Sequence, residues 1–286
     1  MAVNILTLPA PAKLNLFLHI IGRRSDGYHN LQTVFQFLDY ADTLKFYTAA
    51  DDKFDLIDHD SHIPRDENLV WKALTALRKT YEEKGITQLP GCSIELIKRL
   101  PQGAGLGGGS SNAATALVGL NQLWGSHLNS TELQAIGRKL GADVPVFIHG
   151  HACFAEGIGD VFTNITPPTP WYLVVKPNVS ISTAALFSHP KLERNCSPVT
   201  ADNWQQQKVA NVFEPVVCDL HTEVAMLRRA LLEYAPPRLT GSGACLFSTF
   251  ETRQAAKEAQ QQVPKELCSF IAQGQNRSPL IQTLTQ

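Results

Sequence analysis

The sequence predicts an α+β fold in two domains with antiparallel or mixed sheets, and three observations carry that expectation. Segments of strand type and helix type alternate in both halves of the chain. Pro167, Pro168, Thr169 and Pro170 interrupt the alternation near its middle, where residues ahead of proline are held extended and no element continues. A glycine-rich stretch follows a short strand and opens a helix, which sets bare backbone beside a helix start. The 286 residues suffice for two modest cores. The seam is expected between about 150 and 170, giving units of 1–160 and 161–286.

Taken in order, strand formers fill Ala12 to Ile21 and Leu31 to Tyr47, parted by the turn-type run Arg23-Arg24-Ser25-Asp26-Gly27. After Asp66-Glu67-Asn68, the spacing of Leu69, Ala73, Leu74 and Leu77 gives one apolar helix face, and Gly85 ends it. Cys92 to Lys98 reads as a strand, and beyond the glycines a helix buries Ala113, Ala116, Leu117, Leu120 and Leu123. Asn129 with Glu132 forms a capping box for a helix that stops at Gly141, ahead of Asp143-Val144-Pro145. HACFAEGIGDVFTNI, from His151, is a hairpin turning at Gly157 to Asp160. The second half holds a buried strand, Trp171 to Val175, and an amphipathic helix from about Cys218 to Tyr234 whose face is Leu220, Val224, Leu227 and Leu231. A strand from Ala244 to Phe250 follows the Gly241-Ser242-Gly243 turn. A polar helix, Thr252 to Gln262, and a closing strand, Leu267 to Ala272, complete the series.

Composition removes several function classes. The 25 Lys and Arg balance 26 Asp and Glu with no long run of either sign, so nothing provides a footprint for a nucleic-acid backbone. Leu14 to Ile21 is too short to span a bilayer and carries Asn15 and His19, and the N-terminal residues lack the pattern of a secretory signal. A cytoplasmic protein without membrane or nucleic-acid partners, a monomer or weak homodimer, is expected. The cysteines at 92, 153, 196, 218, 245 and 268 lack metal-ligand spacing and read as reduced, mostly buried thiols.

The most informative stretch is LPQGAGLGGGSSNAA, Leu100 to Ala114, with five glycines between Pro101 and Ser110. Glycine accepts positive φ and has no Cβ, so successive N–H groups can converge on one anion while the helix start adds its positive dipole end. Phosphate is the natural guest. Ser110, Ser111 and Asn112 add side-chain groups suited to phosphate oxygens or a magnesium ion. Neither common nucleotide loop fits. A P-loop needs lysine where Gly109 stands, and the GxGxxG at Gly103, Gly105 and Gly108 is followed by a helix rather than by a second parallel strand ending in an acid. A tightly packed glycine turn without ligand is the competing reading.

Three separated segments resemble the GHMP kinase superfamily, the group of galactokinase, homoserine kinase, mevalonate kinase and phosphomevalonate kinase. They are PAKLNLFL at 11–18, LPQGAGLGGGSSNAA, and RLTGSGACLF at 238–247. GRRSDGYHNLQT and GADVPVF, together with GLGGGSSNAA, resemble one branch, whose acceptor is a cytidine diphosphate sugar-alcohol of the non-mevalonate route to isoprenoid precursors. The resemblance implies a two-domain enzyme with ATP in the N-terminal unit, the acceptor in the C-terminal unit and reaction in the cleft between them. The γ-phosphoryl group of ATP would pass to the tertiary 2-hydroxyl of the methylerythritol moiety. Carried over by motif, Lys13 and Asp143 are the catalytic pair. Pro101, Gln102, Gly103, Ala104, Gly105, Leu106, Gly107, Gly108, Gly109, Ser110 and Ser111 would hold the triphosphate. Asn15 would line the acceptor pocket, Tyr28 would stack on cytosine, His29 would hydrogen-bond the base edge and Phe187 would stack from the other side. Magnesium is expected with ATP, its protein ligands unassigned, because Glu132 is accounted for as a cap.

Structural alternatives stand beside these roles. Lys13 could be a strand-end lysine reaching solvent, Asp143 a cap for the turn before Pro145, and Tyr28, His29 and Phe187 residues of the core or its edge. In function, the alternatives are another small-alcohol kinase, a nicotinamide-dependent oxidoreductase or a non-catalytic nucleotide sensor.

Overall fold

The computed structural model describes residues 5–49, 53–60 and 62–285. The chain opens with two long strands, β1 (Ile5–Arg23) and β2 (His29–Thr48), followed by β3 (Phe54–Asp58), α1 (Leu69–Glu83) and β4 (Cys92–Ile97). Next come α2 (Gly108–Leu123), α3 (Ser130–Leu140) and α4 (Val144–His149), then the hairpin of β5 (Cys153–Glu156) and β6 (Val161–Asn164). The second half holds β7 (Trp171–Lys176), α5 (Thr183–Ser188), α6 (Phe213–Leu220) and α7 (Thr222–Leu231). It closes with β8 (Arg238–Leu239), β9 (Leu246–Phe250), α8 (Arg253–Gln260), β10 (Cys268–Gln275) and α9 (Pro279–Leu284).

The strands join in one mixed sheet along the path β3-β4-β2-β10-β7-β9-β8, with β1 and the β5–β6 hairpin also paired to β2. Among the described residues only the β3–β4 ladder is parallel. The halves meet where β10 pairs with β2 at Gly274–Leu38 and Gln275–Phe37. One core packs α1, α2, α3 and α4 on the first half through residues such as Leu44, Phe46, Leu74, Leu117 and Phe147. A second core lies under the junction around Phe17, Phe154, Tyr172 and Phe247, and a third under α6 and α7 around Val175, Val216, Leu227 and Leu246. A buried polar set crosses the seam: Gln36 accepts from the Tyr172 hydroxyl and donates to Asn276 and the Pro168 carbonyl. Each buried polar group there has a partner, so the junction is held without leaving any of them unsatisfied.

The α+β class and most expected elements are present, including the full capping box at Asn129 and Glu132. Four features differ. The expected helix from Cys218 to Tyr234 is two helices broken at His221, whose backbone is extended at φ −130° and ψ 95°. Leu220 therefore ends α6 and is exposed, whereas Val224, Leu227 and Leu231 form the buried face of α7. Asp143-Val144-Pro145 opens a helix, with proline in its first turn, where a missing N–H costs nothing. Strand β1 begins at Ile5 and runs through Pro9 and Pro11, which is tolerated because β2 is its only partner among the described strands. The hairpin carries the pairing of the first half past 160, because β6 pairs with β5 and β5 with β2. Among the described residues no helix is long and apolar enough to cross a membrane.

Candidate functional site

Two cavities flank the glycine-rich loop. The smaller, about 380 Å³, is lined by residues 101–110 with Ile63, Glu67, Asn68, Leu69, Leu96, Lys98 and Asn112. The larger, about 790 Å³, reaches from Lys13, Asn15 and Asp143 at one end to Tyr28, His29, Phe187 and Arg194 at the other. Ser110 lines both.

The loop's shape is set by backbone that only glycine adopts readily. Gly103, Gly105 and Gly107 all have positive φ, and Gly107 is the N-cap of α2. A Cβ on Gly105 would lie 2.2 Å from the Thr240 carbonyl oxygen, and one on Gly107 would strike the Phe147 ring at 2.8 Å. The third glycine motif supplies this close neighbour: Gly241 also has positive φ, and Cys245 N–H donates to the Ala104 carbonyl at 3.2 Å. Two glycine turns, from opposite halves of the chain, thus pack backbone to backbone.

The loop's approach is fixed from below by Asp42, a fully buried carboxylate on β2. It accepts from the N–H groups of Arg99 and Leu100 at 2.6 and 2.7 Å and from the Lys98 ammonium. Lys98, just past β4, lines the smaller cavity, and its Nζ lies 3.7 Å from where a Cβ on Gly108 would stand.

On the other side of the loop, Lys13 is buried, its Nζ 3.2 Å from Asp143 Oδ2 and 3.1 Å from the Gly105 carbonyl oxygen, and it also donates to Asn15 Oδ1. The solvent-reaching alternative is therefore excluded. Register shifts at Pro11/Lys13 and Asn15/Leu18 bracket Lys13 and Asn15, the irregularity by which a strand re-aims a side chain. Asn15 is locked in turn: its Nδ2 donates to Thr33 Oγ1 at 2.9 Å, and its N–H donates to Thr240 Oγ1 at 3.0 Å. Asp143 precedes α4 but makes no side-chain capping hydrogen bond, and its carboxylate is 36% exposed. The capping alternative fails, and a partly open carboxylate faces a buried ammonium.

At the far end, the His29 ring lies on Phe187 with centroids 5.2 Å apart and planes at 21°, and Phe187 meets Phe213 edge-on. Tyr28, expected as a stacking partner, is 63% exposed and beside the opening rather than against another ring. His29 Nε2 is buried without a hydrogen-bond partner, a group left to a ligand or a water. Burial, followed by the charges of Arg194 and Arg23, holds the His29 imidazole below its ordinary range, which keeps it neutral.

The structure gathers Lys13, Asn15, Tyr28, His29, Asp143 and Phe187 around one cavity and residues 101–110 around the other. Ser111 stands apart. It is fully buried, lines neither cavity, and its Oγ has no partner, because one helical step rotates it about 100° from Ser110 into the core. Reading the sequence did not single out Asp42, Lys98, Arg23, Thr183, Arg194 or Ser242. Ser242 lies in the recognised third motif, and Thr183 joins it by a 2.7 Å hydroxyl contact, but no local pattern marks Asp42 or Arg194. Among the described residues no group of three His, Cys, Asp or Glu could hold a metal, and Glu132 is engaged by its capping box and by Lys84.

The chain is similar to known proteins along most of its length. Residues 68–151 match the GHMP kinases N-terminal domain and residues 199–268 the GHMP kinases C-terminal domain. The chain is 49% identical over 272 residues to 4-diphosphocytidyl-2-C-methyl-D-erythritol kinase of Pasteurella multocida, covering 95% of this chain and 90% of that protein. It is 50% identical to the protein of the same name from Mannheimia succiniciproducens, over 97% of this chain and 90% of the relative. A crystal structure of 4-(cytidine 5'-diphospho)-2C-methyl-D-erythritol kinase superposes with a TM-score of 0.80 at 27% identity, covering 94% of this chain and 99% of that one. A mevalonate kinase structure, 16% identical with a TM-score of 0.68 over 95% and 100% of the two chains, shares the fold. The chain thus belongs to the GHMP kinases and, within them, to the 4-diphosphocytidyl-2-C-methyl-D-erythritol kinase family.

Proposed function

We propose that this chain is an ATP-dependent kinase that phosphorylates the 2-hydroxyl of 4-(cytidine 5'-diphospho)-2-C-methyl-D-erythritol in the methylerythritol phosphate route to isoprenoid precursors. One observation carries the site assignment: Lys13 and Asp143 form a 3.2 Å ion pair in the larger cavity, with Lys13 bonded to the glycine-rich loop that walls off the smaller one. A donor bound on the loop and an acceptor in the larger cavity would meet at that pair.

The chemistry follows from the residues. An alcohol is far too weak an acid for a carboxylate to ionise beforehand, so Asp143 orients the hydroxyl and accepts its proton as the new P–O bond forms. Lys13 keeps Asp143 ionised and offsets charge on the transferring phosphoryl group. Asn15, pinned by Thr33 and Thr240, holds Lys13 at that spot. The loop's N–H groups and the start of α2 take the phosphates, while Lys98, paired with Asp42, stands beside Gly108. Cytosine enters between Tyr28 and Phe187, and neutral His29 offers its unpartnered Nε2 to the base edge. The stretch 1–160 supplies the whole lining of the smaller cavity, whereas the larger is shared: 161–286 adds Thr183, Phe187, Arg194 and Ser242 to a wall that 1–160 also builds, so the acceptor would lie between the two stretches rather than in the second alone.

Magnesium fits as a companion of ATP rather than as a resident of a preformed site. The Ser110 hydroxyl, open to both cavities, is the protein donor best placed for it, and the remaining ligands would be phosphate oxygens and water. Bound there, the ion neutralises charge on the β and γ phosphates.

A coupled assay of ADP release with the cytidine diphosphate sugar-alcohol as acceptor tests the reading. ADP should form only when the acceptor is present, with CDP inhibiting. Efficient phosphorylation of a different alcohol that CDP leaves untouched would overturn the substrate, and absence of ADP with any acceptor would overturn the activity.

A further inference from the structure

The larger cavity is lined by three cations, Lys13, Arg23 and Arg194, and one carboxylate, Asp143. Lys13 and Asp143 neutralise one another at the reacting end. The surplus positive charge therefore sits at the other end, beside His29, on two arginines whose situations differ. Arg194 is tied down: its guanidinium donates to the carbonyls of Leu192, Phe187 and His189 at 2.8–3.0 Å. Arg23 ends β1 directly opposite His29 in the β1–β2 ladder, is exposed, and has no side-chain hydrogen bond or ion pair among the described residues. Its neighbour Arg24, by contrast, is paired with Asp26 at 3.0 Å.

We propose that Arg23 is an electrostatic selectivity residue for a diphosphate-bearing acceptor, its free guanidinium attracting the ligand's phosphates at the cavity mouth, while Arg194 acts only as a positioning residue for Phe187. The inference rests on the cytidine reading of the larger cavity and deepens it by assigning recognition of the charged linker, as distinct from the base, to a residue of the GRRSDGYHNLQT stretch that has no part in the base reading. A guanidinium in solvent contact gains little from a lone surface carboxylate. Set at the rim of a cavity with low-dielectric walls, the same charge is focused on an entering anion and raises its capture rate, in a manner that salt suppresses. Arg23 stands opposite His29 in the ladder, and both arginines line the same cavity as that ring. Arg194, with its donors engaged, shapes the wall; Arg23, with its donors free, addresses the ligand.

Cytidine and CDP share the base and ribose and differ in the diphosphate, so comparing their dissociation constants isolates the charge. In Arg23→Gln, affinity for CDP should fall about 5- to 20-fold at low ionic strength, with most of the loss gone in high salt, while affinity for cytidine stays within about two-fold. Arg23→Lys, which keeps the charge, should retain most of the CDP affinity. Arg194→Gln should weaken cytidine and CDP alike, because it releases the Phe187 backbone. Equal losses for cytidine and CDP in Arg23→Gln, or unchanged CDP affinity, would overturn the proposal. Wild-type protein that binds neither ligand would remove the cytidine reading itself, and this inference with it. Wild-type protein that binds both, alongside an unaffected Arg23→Gln, would sink the inference alone.

Discussion

The two cavities are built by opposite means. The smaller is a backbone device: its floor is a run of glycines with positive φ, wedged against a second glycine turn so closely that one added methyl at Gly105 meets a carbonyl oxygen at 2.2 Å. The larger is a side-chain device, assembled from β1, β2, α5, the start of α4 and the loops around Arg194 and Ser242. On the proposed reading, the nucleotide side must present N–H groups to an anion that carries little shape information, and a rigid backbone does that with residues contiguous in sequence. The acceptor side must discriminate, and discrimination needs side chains brought together from distant positions. The first construction should be brittle to added atoms, and the second should lose its functions one at a time.

The largest effect that would sharpen this contrast is expected beneath the loop. Asp42→Ala leaves the Lys98 ammonium and two N–H groups without their partner in a buried setting and should cost about 3–5 kcal/mol in denaturant unfolding. Asp42→Asn, which can still accept from Arg99 and Leu100, should cost much less. Equal costs would mean that Asp42 acts through its charge on Lys98 rather than through the two N–H groups.

Next, Gly105→Ala should destabilise by about 2–4 kcal/mol and abolish saturable ATP binding, since both its φ and its packing forbid a Cβ. Gly103→Ala has positive φ but nothing within 4 Å of the new atom, so about 1 kcal/mol is expected. If the two variants prove alike by thermal unfolding and ATP titration, the loop is not clamped by the second glycine turn.

On the acceptor side, Tyr28→Ala should raise the KM of the cytidine substrate by the equivalent of about 1–3 kcal/mol, a base-stacking loss, while leaving the melting temperature and the KM for ATP in place. Tyr28 is exposed and supports little else. A drop in melting temperature with unchanged acceptor KM would return it to a structural role.

The smallest effect concerns pH. Because burial, Arg194 and Arg23 depress the His29 pKa, the unfolded chain takes up this proton first as pH falls. The stability His29 contributes is present above its ordinary pKa of about 6.5 and is lost as pH drops through the folded value. Acceptor KM should accordingly stay flat on the alkaline side and rise only in the acid range. Arg23→Gln should move that rise toward neutral pH. A rise centred above the ordinary histidine range would contradict the assignment.

The different constructions also account for what was legible in the sequence. Gly103 to Ser110 is a local signal, and so are the Asn129–Glu132 capping box and the turn at Gly157 to Asp160, because the residues that interact are neighbours in sequence. Asp42 and Lys98, or Phe187 and Arg194 with His29, meet only through the fold, and no periodicity reports such a meeting. Lys13, Asn15, Tyr28, His29 and Asp143 were reachable because they lie in recognisable motifs; the burial of Lys13 and Asn15 was not. The break at His221 was hidden because Leu220 fits the helical spacing of Val224, Leu227 and Leu231 while belonging to another helix. Ser111 was placed with Ser110 because adjacency in a motif does not tell which way a helical side chain turns.

The central claim is that donor and acceptor cavities meet at Lys13 and Asp143. Its most direct test is transfer of label from γ-labelled ATP to the cytidine acceptor in a single turnover of Asp143→Asn, with ATP and acceptor affinities measured on the same protein. Both affinities should stay within a few-fold of wild type while the transfer rate falls by about 10²–10⁴, the usual contribution of a general base. Transfer at the wild-type rate, with both ligands bound, would show that the phosphoryl group moves somewhere other than at this carboxylate.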